Sequence, residues 1–343
     1  MKRTFGASLI AASLLSLAGP AVAADGDTLT KVKERGSLNC TGHNGSFFGY
    51  AELDDQGNWK GIDIDLCRAL SITIFGNDDT LNIVPISWEQ RWSTLQAGDV
   101  DIVIKSSGNT FSRDTELGLQ FTQPYLFGLT KVMIHADRGI ASLAQADGGT
   151  VCIPAGTTME RQIASIASRL KIKLEPVLFE GSEEMVAAYM ANRCDAVVEF
   201  DQTLSIMAND SGNPEAHVIL PEVLAMEPQV IVALEGDDNW VDINNWMLTA
   251  LLLAEQEGVT SANVDEMKAN PPSSEVGKLL GATPGIGTPL GLNDDWAYNV
   301  IKQMGNYGEI YSRNLGDASV YKTPRSFNAL WNAGGLLYPM ILD

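Results

Sequence analysis

From about residue 36 onward, hydrophobic positions alternate between the period of a strand and the period of a helix. Short apolar runs, typical of buried strands, are separated by stretches with apolar residues on one helical face. This alternation predicts an α/β fold with mostly parallel sheets. The predicted strands are 37–40, 81–86, 100–104, 131–134, 151–153, 196–198 and 230–234, and the predicted helices include 89–97, 159–170, 183–190, 240–257 and 295–304.

Two local patterns refine the start of this series. Asp63 directly precedes a helical pattern that runs through Leu66 and Leu70, so it is predicted to be the N-cap of that helix. Polar residues at 105–110 follow the predicted strand 100–104 and are expected to form a loop at its carboxyl end. Open α/β sheets place their ligands at such ends.

The first 23 residues have the pattern of a secretory signal peptide. Lys2 and Arg3 precede a short apolar run at 9–17, and AVA at 21–23 fits a cleavage site. That run is shorter than the roughly 20 residues needed to span a bilayer. The mature protein is therefore expected to be soluble and periplasmic, without direct membrane insertion.

The chain has 343 residues, enough for two domains, and a formal net charge of −20. Nucleic acid binding requires clustered Lys and Arg, so this acidity argues against nucleic acid as a partner, and equally against anionic lipid. The simpler consequences of the charge are solubility and mutual repulsion between molecules.

The four cysteines, Cys40, Cys67, Cys152 and Cys194, form an even set, which suggests disulfides in an oxidising compartment. Three connectivities are possible. The spacing favours Cys40–Cys67 and Cys152–Cys194, because each pair then lies within one half of the chain. No CxxC occurs and the three histidines are scattered, so no metal site is expected.

Several motifs stand in order along the chain. They are VKERGSL at 32–38, GNWKGIDIDL at 57–66, WEQRWSTLQAGDVD at 88–101, and SR at 112–113 followed by FTQPY at 121–125. Together they resemble the extracytoplasmic solute-binding proteins of ABC uptake systems for polar amino acids. The cysteine positions, VILPE at 218–222 before EP at 227–228, and the ending DDWAYN to GNYGEI at 294–310 are similar to the general L-amino acid-binding subfamily.

The resemblance implies a periplasmic binding protein-like type II fold, with two α/β lobes joined by a two-strand hinge and a ligand cleft between them. Residues 24–126 and 230–343 are expected to form lobe 1, and residues 127–229 lobe 2. The implied function is capture of a small polar L-amino acid by lobe closure and its delivery to the permease of an ABC transporter. The resemblance further implies a monomer without a cofactor.

An amino acid presents a carboxylate that a buried, planar guanidinium can bind through two parallel hydrogen bonds. Arg113 is the candidate for this role, with Gly108 and Thr110 expected to contribute backbone and hydroxyl groups nearby. The alternative for Arg113 is a surface ion pair with Asp114 or Glu116.

From the second lobe, Thr157 and Thr158 precede a predicted helix, whose unsatisfied N–H groups would favour an anion. Their alternative role is simple helix capping. Asp201 follows the strand 196–198 and is the candidate partner of the ligand's ammonium, with Glu199 as a competitor. The alternative for Asp201 is also a helix cap.

Aromatic residues Phe47, Phe48 and Tyr50 follow the first predicted strand, and Trp88 follows the next. Phe48, Tyr50 and Trp88 are candidates for contact with the ligand's side chain, and core packing is the alternative for each. The residues at 47–48 and 105–109 depart from the subfamily's pattern, which leaves the specificity for that side chain open.

Two other functions fit the same scaffold. An enzyme such as a dehydratase acting on a cyclic carboxylate would need an acid or base in the cleft, for which Glu199 or His43 would serve. A sensory module would need a fused signalling segment, and the sequence contains no candidate for one.

Overall fold

A computed structural model describes residues 27–54 and 56–343. The signal peptide expected at 1–23 lies outside the described residues. Within those residues, no helix is both long and apolar enough to cross a membrane. The apolar residues 247–254 are buried along one of the helices.

Helices and strands alternate along most of the chain, as the sequence pattern predicts. The helices are α1 (Asp27–Arg35), α2 (Ile62–Phe75), α3 (Arg91–Ala97), α4 (Phe111–Glu116), α5 (Met159–Leu170), α6 (Ser182–Met190), α7 (Asp201–Asp210), α8 (Asp238–Gln256), α9 (Val264–Ala269), α10 (Ser274–Leu279), α11 (Trp296–Met304) and α12 (Tyr307–Asn314). The strands are β1 (Leu38–His43), β2 (Glu52–Leu53), β3 (Trp59–Lys60), β4 (Leu81–Ile86), β5 (Val103–Gly108), β6 (Leu119–His135), β7 (Gly149–Pro154), β8 (Leu174–Phe179), β9 (Ala196–Phe200), β10 (His217–Ile219) and β11 (Ala225–Leu234).

The first α/β body combines the two ends of the chain. Strands β1 and β4 pair in parallel, and a parallel bridge between Cys40 and Ile102 connects β1 to the segment that leads into β5. Helices α2, α8, α11 and α12 pack together over this layer and bury one large apolar core. The core therefore joins residues that are more than two hundred positions apart in the sequence.

The second α/β body is built from the middle of the chain. Strand β7 pairs in parallel with both β8 and β9, and β9 pairs antiparallel with β6. Side chains from α5 cover one face of these strands, whereas those from α6 and α7 cover the other. Strand β9 is buried along its whole length, which explains why its sequence begins as a continuous apolar run.

Two long strands connect the bodies. The antiparallel pairing of β6 and β11 runs from Leu119 opposite Leu234 to Thr130 opposite Ala225. The larger sheet is therefore mixed, and the expectation of mostly parallel sheets is wrong for its centre. The division into residues 24–126 with 230–343 and residues 127–229 remains a prediction, because the boundaries fall inside these shared strands.

A residue of the C-terminal segment stabilises the two strands that connect the bodies. Pro228 stands opposite Phe127 in the ladder and has no N–H to donate to it. The buried amide of Asn328 makes hydrogen bonds to both backbone groups of Phe127, accepting from its N–H at 2.7 Å and donating to its carbonyl at 3.0 Å. A side chain near the end of the chain thus pairs with both backbone groups of Phe127, including the carbonyl to which Pro228 cannot donate.

Both favoured disulfides are confirmed. Cys40–Cys67 joins β1 to α2, and Cys152–Cys194 joins β7 to the turn before β9. Each bond lies within one α/β body, so neither links the two bodies to each other.

Two local predictions are wrong. The segment expected as a loop at 105–110 is mostly strand, because β5 continues to Gly108. Asp63 does not cap α2: the N-cap position is Gly61, and Asp63 is buried in the first turn. Its carboxylate accepts a 2.7 Å hydrogen bond from the hydroxyl of Tyr125, and burial raises its pKa to about 7.

Candidate functional site

A small pocket lies where the two bodies meet. Each body contributes five residues to the wall of the pocket, and strand β11 contributes one residue. From the first body these are Trp88, Arg91, Ser106, Gly108 and Arg113; from the second they are Thr157, Thr158, Met159, Glu199 and Phe200; from β11 it is Glu227.

The short helix α4 positions Arg113 at the end of β5. The hydroxyl of Thr110 caps this helix by accepting from the Arg113 N–H at 3.4 Å, and Thr110 itself does not line the pocket. Arg113 is 6% exposed, and its guanidinium donates to the Gly108 carbonyl at 2.7 Å through Nη1. Within the described chain it forms no ion pair with Asp114 or Glu116, which argues against the surface alternative.

Burial sets the electrostatics of this guanidinium. It lowers the pKa of Arg113 to about 10, while the nearby Glu227 carboxylate acts in the opposite direction. Arg113 stays protonated at neutral pH, but it is a desolvated cation. A ligand carboxylate would gain more from such a group than from a solvated surface arginine.

A second buried arginine, Arg91, was not among the predicted site residues. All three of its nitrogens are engaged by protein acceptors: Nε donates to Trp88 O at 2.7 Å, Nη1 to Ser107 Oγ at 3.0 Å, and Nη2 to Gly156 O at 2.9 Å. Because Gly156 belongs to the second body, Arg91 links the two walls of the pocket through these hydrogen bonds. Its place in the WEQRWSTLQAGDVD motif was the available sequence signal.

The start of α5 faces the pocket from the second body. Thr157 Oγ1 donates to Pro154 O at 2.7 Å, and Thr158 Oγ1 donates to the Glu227 carboxylate. Neither hydroxyl caps the helix, although Thr158 occupies the N-cap position. The alternative role of helix capping therefore does not describe these two hydroxyls.

Two carboxylates face the same pocket. Glu199 is 1% exposed, and its Oε1 accepts from the Phe200 N–H at 3.0 Å. Glu227, on β11, accepts from Thr158 and from the amide of Gln162 through Oε1. Burial raises the pKa of Glu199 to about 8, and the negative charge of Glu227 adds to that rise.

The predicted ammonium partner Asp201 lies just outside this pocket. It is the first residue of α7, and its Oδ1 accepts from the Leu129 N–H at 3.1 Å. Burial raises its pKa, against the effect of that hydrogen bond. Its competitor Glu199 lines the pocket, whereas Asp201 does not.

Of the predicted aromatic contacts, Trp88 lines the pocket and the others lie behind it. The rings of Phe47 and Tyr50 stack at 4.4 Å, and Phe47 meets Trp88 edge-on at 5.2 Å. Phe48 is half-buried against the large core. The ammonium of Lys105 lies 4.7 Å from the Trp88 ring centre and donates to Gly42 O at 3.0 Å.

His43, named for the enzymatic alternative, is buried against these same aromatic rings. Burial and the neighbouring Lys105 lower its pKa to about 2, so its imidazole is neutral at physiological pH. Across the described residues, no group of three or more His, Cys, Asp or Glu side chains could hold a metal ion.

Comparison with known proteins shows which family has this architecture. The model of the bacterial extracellular solute-binding proteins, family 3, matches residues 41–152. The general L-amino acid-binding periplasmic protein AapJ of Rhizobium johnstonii is 38% identical over 98% of both chains. The chain belongs to this family. The glutamate/glutamine/aspartate/asparagine-binding protein BztA of Rhodobacter capsulatus is 34% identical, again over 98% of both chains.

A solved family 3 relative extends the similarity to three dimensions. The ABC transporter periplasmic binding protein of Brucella ovis, solved with glutathione bound, is 41% identical over 93% of this chain and 99% of its own, with a TM-score of 0.87. The type II periplasmic binding protein fold predicted from the sequence is thus confirmed. The chain is a solute-binding receptor, and the enzymatic alternative is not supported, since these family 3 relatives are named as binding proteins.

Proposed function

We propose that the chain captures a small ligand with an α-amino acid group, of the polar L-amino acid type, in the pocket between its two bodies. The observation that carries this proposal is the opposition of two anion-binding groups across one pocket. Arg113 comes from the first body, and the start of α5 with Thr157 and Thr158 comes from the second.

When groups from both bodies bind the same carboxylate, ligand binding is coupled to closure of the two lobes. A ligand held by only one body would gain half of these contacts, so its differential affinity favours the closed arrangement. Direct contacts between the bodies support this mechanism. Arg91 reaches Gly156, and the Ser46 N–H donates to the Glu183 carboxylate at 2.8 Å.

The names of the family 3 relatives support the ligand class. One is named for general L-amino acids, another for glutamate, glutamine, aspartate and asparagine, and a third contains glutathione, which carries an α-amino acid group at its γ-glutamyl end. A polar ligand of this kind fits a pocket walled by two arginines and two glutamates.

The same proposal includes the cellular setting. The receptor is exported by the signal peptide at 1–23, acts in the periplasm as a monomer, and delivers its ligand to the transmembrane permease of an ABC transporter. Expression with the native N-terminus in a Gram-negative host, followed by osmotic shock and N-terminal sequencing, tests export. A mature protein starting at Ala24 supports it, and retention of Lys2 and Arg3 contradicts it.

The ligand class is tested by a thermal-shift screen of protein stripped of ligand by unfolding and refolding. A ligand that binds only the folded state raises the melting temperature. We expect polar L-amino acids or glutathione to raise it and their D-enantiomers or plain sugars to leave it unchanged. Stabilisation by sugars alone would contradict the proposal.

A further inference from the structure

We infer that Trp92 is a positioning residue for the anion-binding side of the pocket, because its indole ring holds the guanidinium of Arg113 in place for the ligand's carboxylate. The inference rests on the proposed function and deepens it, since it names a group outside the pocket wall that sets the affinity. Trp92 is not among the described residues that line the pocket, so its contribution passes through Arg113, which does line it.

Two guanidinium groups lie over the Trp92 ring. The central carbon of Arg91 is 4.7 Å from the ring centre, and that of Arg113 is 5.1 Å from it. Both distances are in the range of cation–π attraction, which strengthens when the cation is removed from water. Both arginines are buried. One indole therefore stabilises two desolvated cations.

The ring itself is held by contacts that do not involve Arg113. Trp92 is the second residue of α3 and packs, half-buried, against an apolar cluster that includes Leu95 and Val230. Arg91, over the same ring, is fixed by hydrogen bonds from all three of its nitrogens. The indole is therefore a rigid platform on which the guanidinium of Arg113 rests.

Arg113 gains from such a platform because few other contacts fix its guanidinium. Within the described chain, that group makes one hydrogen bond, to the Gly108 carbonyl, and no ion pair. A carboxylate paired with Arg113 would compete with the ligand for the same donors. Contact with an aromatic face stabilises the charge and leaves the N–H groups, which lie in the guanidinium plane, for hydrogen bonds. Trp92 thus holds Arg113 without occupying the donors that the ligand requires.

The charges around the ring add to the importance of this contact. Burial lowers the pKa of Arg91, and the charge of Arg113 lowers it further. Burial also lowers the pKa of Arg113 to about 10, and Arg161 adds to that lowering. The Glu227 carboxylate acts in the opposite direction on both Arg91 and Arg113. The π face of Trp92 therefore acts together with Glu227 in stabilising two like charges at one end of the pocket.

A comparison of three side chains at position 92 tests the role of the ring. Calorimetry on mature protein stripped of ligand uses L-glutamate, L-glutamine and glutathione as probes. Trp92→Leu should raise Kd about 5- to 30-fold for each probe that wild type binds, as loss of a cation–π contact with a desolvated cation predicts. Trp92→Phe should stay within about threefold of wild type, because phenylalanine keeps an aromatic face.

A double-mutant cycle tests whether Trp92 acts through Arg113. In the Arg113→Met background, Trp92→Leu should change Kd by less than about twofold, because the group that the ring positions is gone. A general effect on packing would persist in that background. Trp331→Leu is the matched control, since Trp331 is exposed in the C-terminal segment and away from the pocket wall; it should leave Kd unchanged. Melting temperatures of the unliganded variants identify any loss of folding.

Four results overturn the inference. If Trp92→Leu binds the probes as tightly as wild type, or if Trp92→Phe loses as much affinity as Trp92→Leu, the indole does not position Arg113 and the proposed function stands. If Trp92→Leu weakens binding by the same factor with and without the Arg113 guanidinium, Trp92 acts through another group. If wild type binds none of the three probes, the inference and the proposed function fail together.

Discussion

Replacing Arg113 with Met tests the anion-binding side of the pocket. Met keeps much of the aliphatic length while removing the guanidinium. Arg113 is buried and its guanidinium uses one hydrogen bond on Gly108 O, so its other donors remain for a ligand carboxylate. Truncating one partner of a buried charge pair costs about 2–5 kcal/mol, which corresponds to a roughly 30- to 5,000-fold rise in Kd.

The start of α5 places the expected loss in the lower part of that range. The start of α5 stays in position in the variant, so the carboxylate keeps the backbone N–H donors of Thr157 and Thr158, whose hydroxyls are engaged by Pro154 O and Glu227. The assay is calorimetric titration with the amino acid that most stabilises wild type in the thermal-shift screen. Unliganded Arg113→Met should melt at or above the wild-type temperature, because burial already opposes the charge on Arg113.

Arg169→Met is the matched control, because Arg169 is exposed in the last turn of α5, away from the pocket. It should leave Kd unchanged. An Arg113→Met protein that folds and binds as tightly as wild type would refute the assignment of Arg113 to the ligand carboxylate.

Three further outcomes follow from the structure. Amino acid affinity should rise with pH and level off above about pH 8, because the ligand's ammonium binds ionised Glu199, whose pKa burial raises to about 8; calorimetry from pH 6 to 9 measures this rise, and Glu199→Gln should flatten it. Asn328→Ala should lower the free energy of unfolding in urea by about 1–3 kcal/mol, because both backbone groups of the partly buried Phe127 lose a partner. Replacing Cys152 and Cys194 with Ala should lower it by about 2–4 kcal/mol without changing Kd, because neither lines the pocket.

Each of these has a contrary result. A pH-independent Kd in wild type would mean that Glu199 does not change its ionisation on binding. Asn328→Ala with wild-type stability would show that water or Gln202, which donates to the same Phe127 carbonyl at 3.2 Å, replaces the lost amide. Loss of affinity in the Cys152 and Cys194 variant would show that the second body's strands transmit strain to the pocket.

The raised pKa of Glu199 also predicts how the free energy of unfolding depends on pH. Because that pKa is raised above the ordinary value, ionised Glu199 costs folding free energy. The cost is absent below about pH 4.5 and fully present above about pH 8. The unliganded Glu199→Gln protein should therefore gain most over wild type at alkaline pH, measured by urea unfolding at several pH values.

Most of the fold was predictable because buried apolar residues recur with the period of a helix or of a strand. The bounds of α5 and β4 coincide with the predicted segments. The extension of β5 to Gly108 was missed because its last residues are Lys, Ser, Ser and Gly, which are buried by the pocket and by β11 rather than by an apolar core. Polar residues on a buried strand carry no hydrophobic period.

The pocket was only partly predictable for a related reason. Arg113 and the start of α5 follow from local patterns, a strand end and a helix start. Glu199 was named as a competitor of Asp201, and their order depends on which side of β9 and α7 faces the cleft, a tertiary property. Glu227 was seen only as part of an EP motif, and its role depends on a strand that crosses between the bodies.

Selection of zwitterions by an amino acid receptor can be decided in one calorimetric comparison. Ligand-free wild type is titrated with L-glutamate, L-glutamine and glutathione, and then with glutarate and glutaramate. We expect saturable one-to-one binding of at least one amino-bearing compound, recovered chemically unchanged, and no heat from either deaminated acid. Binding of the deaminated acids alone would contradict this mechanism.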